Sequence, residues 1–129
     1  MIGWALSVMT IVALVAVGLG ALSAPRRSAA VYGILLDDRR ALAFIRAMGV
    51  RDLAIGGLLA VIAFEGRREA LGWGLCLTAI VALVDYVVVA ADRREAGSGA
   101  PGRAMHALVL HALGAAGLLL AGGLLLAGY

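Results

Sequence analysis

The chain of 129 residues contains no lysine, one cysteine, two prolines and few aromatic residues, and only 15% of its residues are charged. The single cysteine, Cys76, excludes a disulfide-stabilised scaffold and a zinc module built from paired cysteines. Without lysine, the chain has no phosphate-binding glycine loop with its lysine. Because aromatic residues make up only 5% of the chain, no stacking platform accompanies the arginines, and we expect no nucleic-acid partner.

Apolar residues dominate what is present. Hydrophobic residues make up 64% of the chain, and the mean hydropathy is +1.03. A soluble domain of this length cannot bury so much apolar surface. Four membrane crossings of about 20 residues each would use most of the chain and leave only short loops, so no separate catalytic domain fits.

Four long apolar runs predict membrane-spanning helices at about 2–24, 41–64, 70–91 and 104–128. A signal peptide is the alternative for the first run, but the run lacks a positively charged start and its apolar core is too long. Residues 25–40 surround a short apolar stretch with charged residues, which predicts a partial helix at the membrane interface. The expected fold is one all-α domain over 1–129, a polytopic four-helix membrane bundle.

The distribution of arginines predicts the orientation in the membrane. The first and third loops contain seven arginines, namely Arg26, Arg27, Arg39, Arg40, Arg93, Arg94 and Arg103. The second loop contains only Arg67 and Arg68. The positive-inside rule therefore predicts a multi-pass cell-membrane protein whose first and third loops are cytoplasmic and whose termini are both on the opposite side. The excess of arginine is then explained by topology and by contact with anionic lipids.

Three charged residues interrupt the apolar runs, and each is costly in lipid. Arg51, Asp52 and Asp85 would each cost about 2.5 to 3.5 kcal/mol at the bilayer centre without a partner. A rise of about 1.5 Å per residue places them at a similar depth to His111 of the last run. The sequence therefore predicts a buried layer of four catalytic candidates, Asp52, Asp85, Arg51 and His111.

Five further residues are candidates for binding a substrate beside this layer. Gly49 and Gly56 share the helix face of Asp52, and Thr78 shares the face of Asp85. Tyr86 and Arg46 complete the set, although Tyr86 could be a packing aromatic and Arg46 could extend to lipid head groups. His106 and His111 point to different sides of one helix, so we expect no metal site, and no motif indicates a cofactor.

Small residues at four-residue spacing predict where the helices approach each other closely. They occur at Ala16, Gly20 and Ala24 in the first run, at Gly56 and Ala60 in the second, and at Gly117 and Ala121 in the fourth. Such spacing allows close backbone contact between membrane helices.

The stretches 32–37 and 46–56 resemble a family of small four-helix membrane proteins, domain of unknown function 4267. The features shared with that family are a Gly-x-Arg-Asp core, an aspartate late in the third helix and a histidine early in the fourth. They correspond here to Gly49, Arg51, Asp52, Asp85 and His111. The family pattern favours glycine after that histidine, where this chain has Ala112. The resemblance implies a membrane fold with a polar site and supplies no reaction.

Two carboxyl groups beside one arginine can be held in opposite protonation states, which gives an acid and a base. This pattern favours an intramembrane enzyme that opens an epoxide, cyclises or isomerises a lipophilic small molecule. Two other functions remain open. The layer could bind a proton or an amphiphile in an oligomeric transport module, in which case the protein would be a homo-oligomer. It could also be an ion-pair network that only fixes helix docking in an assembly subunit.

Overall fold

The computed structural model describes residues 1–31, 39–96 and 101–129, and within these ranges it leaves aside the side chains of 39–40, 89, 92–96 and 101–107. The described residues form five α-helices: α1 (Ile2–Ser23), α2 (Pro25–Val31), α3 (Arg39–Phe64), α4 (Arg68–Ala96) and α5 (Pro101–Leu126). Four of them contain an apolar stretch long enough to cross a membrane. The predicted all-α fold with four spans is confirmed.

The helices extend beyond the apolar runs that predicted them. α4 was expected over about 70–91 and runs from Arg68 to Ala96, and α5 begins at Pro101 instead of near 104. Apolar composition marks the part of a helix that suits a bilayer, whereas charged residues continue the same backbone hydrogen bonds. Proline suits the first position of a helix because it needs no amide partner there.

The predicted partial helix of the first loop is α2, over Pro25–Val31. It lies against α1 and α3, with Ala29 buried beside Ala21 and Ile45. The rest of the predicted interfacial stretch, including the family motif at 32–37, lies outside the described residues, as do the side chains of Arg39, Arg40 and His106.

Gly66 ends α3 and turns the chain into α4. Its φ of +71° is in the left-handed region that glycine adopts without a steric penalty. The amide of Gly66 donates to the carbonyl of Ala63, and the amide of Arg67 donates to that of Ile62. This pair of bonds is a Schellman ending, which makes α3 and α4 antiparallel neighbours across a tight turn.

The four long helices surround a core that is densest near the two termini. α4 packs along α5 and α1 packs along α3, while α1 with α5 and α3 with α4 complete the ring. The main buried cluster comprises Ile11, Leu59, Leu71, Leu75, Ala79, Leu118, Ala121 and Leu125. Gly3 lies against Leu125, and Arg68 donates a hydrogen bond to the carbonyl of Leu125. The start of α1, the turn at 65–67 and the end of α5 therefore share one end of the bundle.

Two close crossings hold the helix pairs together. A Cβ atom built on Gly49 would lie 2.8 Å from the carbonyl oxygen of Gly18, so α1 and α3 touch there through bare backbone. A Cβ atom built on Gly122 of α5 would likewise lie 2.7 Å from the carbonyl oxygen of Gly72 on α4. The stripe predicted for α1 was wrong, because Ala16 is exposed and Gly18 makes the contact instead.

Large apolar side chains cover the outside of the bundle. Val12, Leu58 and Leu77 are each more than 60% exposed, and they belong to three different helices. A soluble monomer rarely exposes contiguous apolar surface on this scale. Together with the four long apolar helices, this surface identifies a multi-pass membrane protein.

Candidate functional site

Arg51 joins two carboxylates at the wall of the bundle. Its Nη1 and Nη2 atoms donate to Oδ1 and Oδ2 of Asp85, at 3.2 and 2.8 Å. Its Nε and Nη2 atoms also donate to Oδ1 of Asp52, at 3.1 and 3.0 Å. Arg51 thus engages both oxygens of Asp85 and one oxygen of Asp52. A two-point pair of this kind is among the stronger and better oriented interactions of charged side chains.

The helix geometry explains how one arginine reaches both partners. Adjacent residues on a helix point about 100° apart, so Arg51 and Asp52 leave α3 in different directions. Asp52 lies on the side of α3 that approaches α1, next to the Gly18–Gly49 crossing, while Arg51 extends across to α4. The long flexible arginine side chain then spans the distance to Asp85 and still donates back to its neighbour.

The predicted layer is less buried than the sequence suggested. The exposed fractions of the side chains are 37% for Arg51, 14% for Asp52 and 19% for Asp85. Among the described residues, the buried polar side chains are Ser7 and Thr78, and none of the four catalytic candidates is among them. The sequence predicted a buried charged layer, whereas the structure leaves these side chains only partly buried. These side chains face a cavity, where water or a ligand can reach them.

The cavity has a volume of about 570 Å³, within the usual range of small-molecule sites. Arg51, Asp52, Asp85 and His111 all line it. His111, like Asp52, is partly buried. Hydrocarbon forms most of the remaining wall, contributed by Leu6, Met9, Ala13, Leu14, Val17, Val31, Met48, Ile55, Val81, Ala82, Leu110, Leu113, Leu118 and Leu120.

Of the five predicted substrate-binding residues, one lines the cavity and four lie outside its wall. Thr78 lines the cavity, but its hydroxyl donates to the carbonyl of Gly74 at 2.8 Å within its own helix. Gly49 and Gly56 lie in the contact with α1, against Gly18 and Val15, and outside the cavity wall. Arg46 is exposed and Tyr86 is partly buried, and neither belongs to the wall.

Two glycines of α5 that the sequence analysis did not predict as site residues belong to the cavity wall. Gly114 and Gly117 both line the cavity, and a Cβ atom on either would meet nothing within 4 Å. Gly117 and Ala121 were both expected to lie in a close helix contact. Ala121 is fully buried, as predicted, whereas Gly117 borders open space. Their spacing from His111 at three and six residues was the only sequence signal for this role.

No group of three or more His, Cys, Asp and Glu residues in the part of the chain that the structure describes could hold a metal ion. Cys76 is a free thiol whose sulfur lies beside Gly122 at the contact of α4 with α5. The cavity therefore offers carboxylates, a guanidinium and an imidazole as its chemical groups. These can orient a polar group and transfer protons.

Comparison with known proteins places the chain in a family. No curated protein and no solved structure matches it. A family profile does match, over residues 11–125, and this range contains Arg51, Asp52, Asp85 and His111. Since the match covers most of the chain, the protein belongs to the family described as Domain of unknown function (DUF4267).

Proposed function

We propose that this protein is an intramembrane acid/base enzyme that acts on a lipophilic small molecule held in the cavity. One observation carries the proposal: Arg51 binds two carboxylates, Asp52 and Asp85, at the edge of a largely apolar cavity. An epoxide opening, a cyclisation or an isomerisation requires a proton to be delivered to one atom and removed from another. The cluster holds the groups for both transfers.

The unequal bonding of the two carboxylates suggests their roles. Asp85 binds Arg51 through both oxygens, which makes it the group that orients the guanidinium. Asp52 binds Arg51 through Oδ1 alone, and one arginine neutralises only one of the two carboxylates. We therefore assign the transferable proton to Asp52.

In the proposed reaction, Asp52 donates its proton to a substrate oxygen as a carbon–oxygen bond breaks. Water or an internal hydroxyl attacks the carbon and loses its own proton to His111. His111 then returns that proton to Asp52, which lines the same cavity. Arg51 stabilises negative charge that develops on the oxygen.

The surroundings of the cluster support a lipophilic substrate and a supply of water. The cavity wall consists mainly of hydrocarbon from spanning helices, which suits a molecule dissolved in the bilayer. Asp85 lies six residues before the end of the third apolar run at Ala91, and His111 lies seven residues after the start of the fourth at Ala104, so both are about 10 Å inside these ends. Both line the cavity, through which we expect water to reach them.

We also propose that this end of the bundle, which carries the first and third loops, faces the cytoplasm of a cell-membrane protein. Arginine is concentrated in those loops, as the positive-inside rule requires of cytoplasmic segments. Both termini and the turn at 65–67 then lie on the opposite side.

Turnover of a terminal epoxide such as 1,2-epoxydecane by purified protein in detergent micelles tests the proposal. We expect diol or rearranged product, and a loss of about 10² to 10⁴ in rate for Asp52→Asn, the usual contribution of a general acid or base. Arg46→Gln is the matched control, because Arg46 is an exposed charge on the same helix and lies outside the cavity wall. Undiminished turnover by folded Asp52→Asn protein would contradict the assignment.

The same variants distinguish the other two functions. A transport module would show flux of substrate or protons only in sealed vesicles, and its activity would depend on assembly into an oligomer. A purely structural ion-pair network would show no turnover, and both Asp52→Asn and Asp85→Asn would reduce the yield of folded protein. A structural network would give both carboxylates the same role. Arg51 engages two oxygens of Asp85 and one of Asp52, and this difference favours the enzyme.

A further inference from the structure

The cavity is polar at one end and apolar along the rest of its length. The charged cluster lies level with Gly18 of α1, and the cavity continues along α1 to Leu6. From Val17 to Leu6, a helical rise of 1.5 Å per residue corresponds to about 16 Å. A ligand that fills this space has a polar group at one end and an extended body.

The deep part of the cavity has no hydroxyl proton available for a ligand. Thr10 and Thr78 are its polar residues, and each donates its proton to a carbonyl of its own helix. Thr10 donates to Leu6 at 2.8 Å, and Thr78 donates to Gly74 at 2.8 Å. A polar group placed there would lose its bonds to water and gain little in return. The extended body of the ligand is therefore hydrocarbon.

The mouth of the cavity opens towards lipid between α1 and α5. Most of the exposed apolar residues of its wall come from these two helices, with Met9 and Val17 on α1 and Leu110, Leu113 and Leu120 on α5, and Val31 of α2 adds one more. These positions belong to spanning segments, so acyl chains face the opening. A single hydrocarbon chain can enter sideways without passing through water.

The charge of the cluster selects the head group. With the proton on Asp52, Asp85 already neutralises the guanidinium, so an anion such as a fatty acid carboxylate finds no unpaired positive charge on Arg51 to offset its desolvation. An uncharged oxygen can accept the proton that we assign to Asp52. The chemistry thus favours a hydroxyl, ether or epoxide head.

We infer that the cavity binds a single-chain amphiphile with an uncharged oxygen head group at Asp52 and Arg51, and that Gly114 and Gly117 leave the space for its hydrocarbon tail. This inference names the substrate class of the proposed enzyme and rests on that function. The two glycines expose bare backbone to the cavity, with nothing within 4 Å of a Cβ atom at either position. A larger side chain at either position is therefore expected to extend into the cavity.

Binding of a series of primary alcohols from octanol to hexadecanol, followed by native mass spectrometry of the protein in detergent, tests the inference. For the unmodified protein we expect affinity to rise with chain length up to a limit. Gly117→Leu should lower that limit and weaken binding of the longer alcohols by about tenfold or more, as expected when about two methylene groups are left outside. Decanoate should bind more weakly than decanol.

Gly123→Leu is the matched control, because Gly123 lies on the same helix with equally open space and outside the cavity wall. We expect this variant to retain the original limit. Gly114→Ala provides a smaller change should Gly117→Leu lower the yield of folded protein. An unchanged length limit in both cavity variants, or preferential binding of decanoate, would overturn the inference.

The outcome is separable from that of the proposed function. Asp52→Asn should abolish turnover while the length limit of the alcohols stays the same. Length-dependent binding without turnover of any epoxide would refute the proposed enzymatic function and support the inferred amphiphile site. Turnover of compact epoxides without length-dependent binding would support the proposed enzyme and refute the binding of a hydrocarbon tail beside Gly114 and Gly117.

Discussion

Arg51 and Asp85 are 34 residues apart in the chain, yet two hydrogen bonds of 3.2 and 2.8 Å join them across the interface of α3 and α4. The tight turn at Gly66 makes these helices antiparallel, so residues at similar distances from the turn lie at similar depth. The pair ties the two helices together well away from that turn. It also fixes the guanidinium beside Asp52, on which the proposed chemistry depends.

A double-mutant cycle measures what this pair contributes. We expect Arg51→Gln and Asp85→Asn each to destabilise the fold, and the double variant to lose less than the sum. The coupling energy should be about 1 to 2 kcal/mol, above the range typical of fully exposed pairs, because both side chains are partly buried. Thermal unfolding in detergent gives the values, with Arg46→Gln as a control expected to change stability by less than about 0.5 kcal/mol. Strictly additive losses would mean that the two side chains do not interact in the folded protein.

The Gly18–Gly49 crossing predicts opposite effects for two glycines on α3. Gly49→Ala places a methyl group 2.8 Å from both the carbonyl oxygen of Gly18 and the Cβ atom of Ala21. The helices must then separate, at a cost of about 1 to 3 kcal/mol. Gly57 has nothing within 4 Å of a Cβ position, so Gly57→Ala should leave stability unchanged or raise it by up to about 1 kcal/mol. Equal effects in unfolding experiments would refute this crossing.

Arg68 predicts local protection at the end of α5. Its guanidinium donates to the carbonyls of Leu125 and Tyr129, next to the turn in which the amide of Tyr129 donates to Leu124. Arg68→Gln should therefore speed hydrogen exchange of the amides at 125–129 several-fold, because their last turn opens more easily.

Arg67→Gln is the control for this effect. Arg67 is exposed and its side chain makes no hydrogen bond among the residues that the structure describes. Exchange at 125–129 that is equally fast in both variants would show that Arg68 does not hold this end in place.

The proposed orientation can be tested with single cysteines in a Cys76→Ser background. A membrane-impermeant maleimide applied to intact cells should label Glu65→Cys, in the turn on the side of both termini. It should label Ser98→Cys only after the cells are broken, because the arginine-rich third loop is expected in the cytoplasm. The reverse pattern would invert the orientation while leaving the four spans intact.

The sequence was informative wherever composition limits the structure. Long apolar runs located all four candidate spans, and the cost of Arg51, Asp52 and Asp85 in lipid indicated that they require partners. It was uninformative about which side of a uniformly apolar helix faces inward. On α1, Ala16 and Gly20 had the expected spacing, yet Gly18 makes the close contact with α3. Small residues lie on more than one face of that helix, so their spacing alone does not show which face contacts α3.

Burial of the charged residues was also beyond the sequence. Depth along a helix follows from counting residues, and it correctly placed Arg51 level with Asp85. Exposure depends on how far neighbouring helices diverge, and here their divergence leaves a cavity beside the cluster. Gly117 was expected to pack against a neighbouring helix, whereas the structure leaves open space in front of it.

The amino-acid sequence by itself determined that the chain crosses a membrane four times and that a few charged groups meet inside it, because lipid penalises every unpaired charge and every unbonded backbone group. Only the tertiary structure decided which oxygens Arg51 engages, which glycines touch backbone and which border the cavity. Those outcomes depend on helix rotation and crossing, which are set by side-chain packing among residues of nearly equal hydrophobicity.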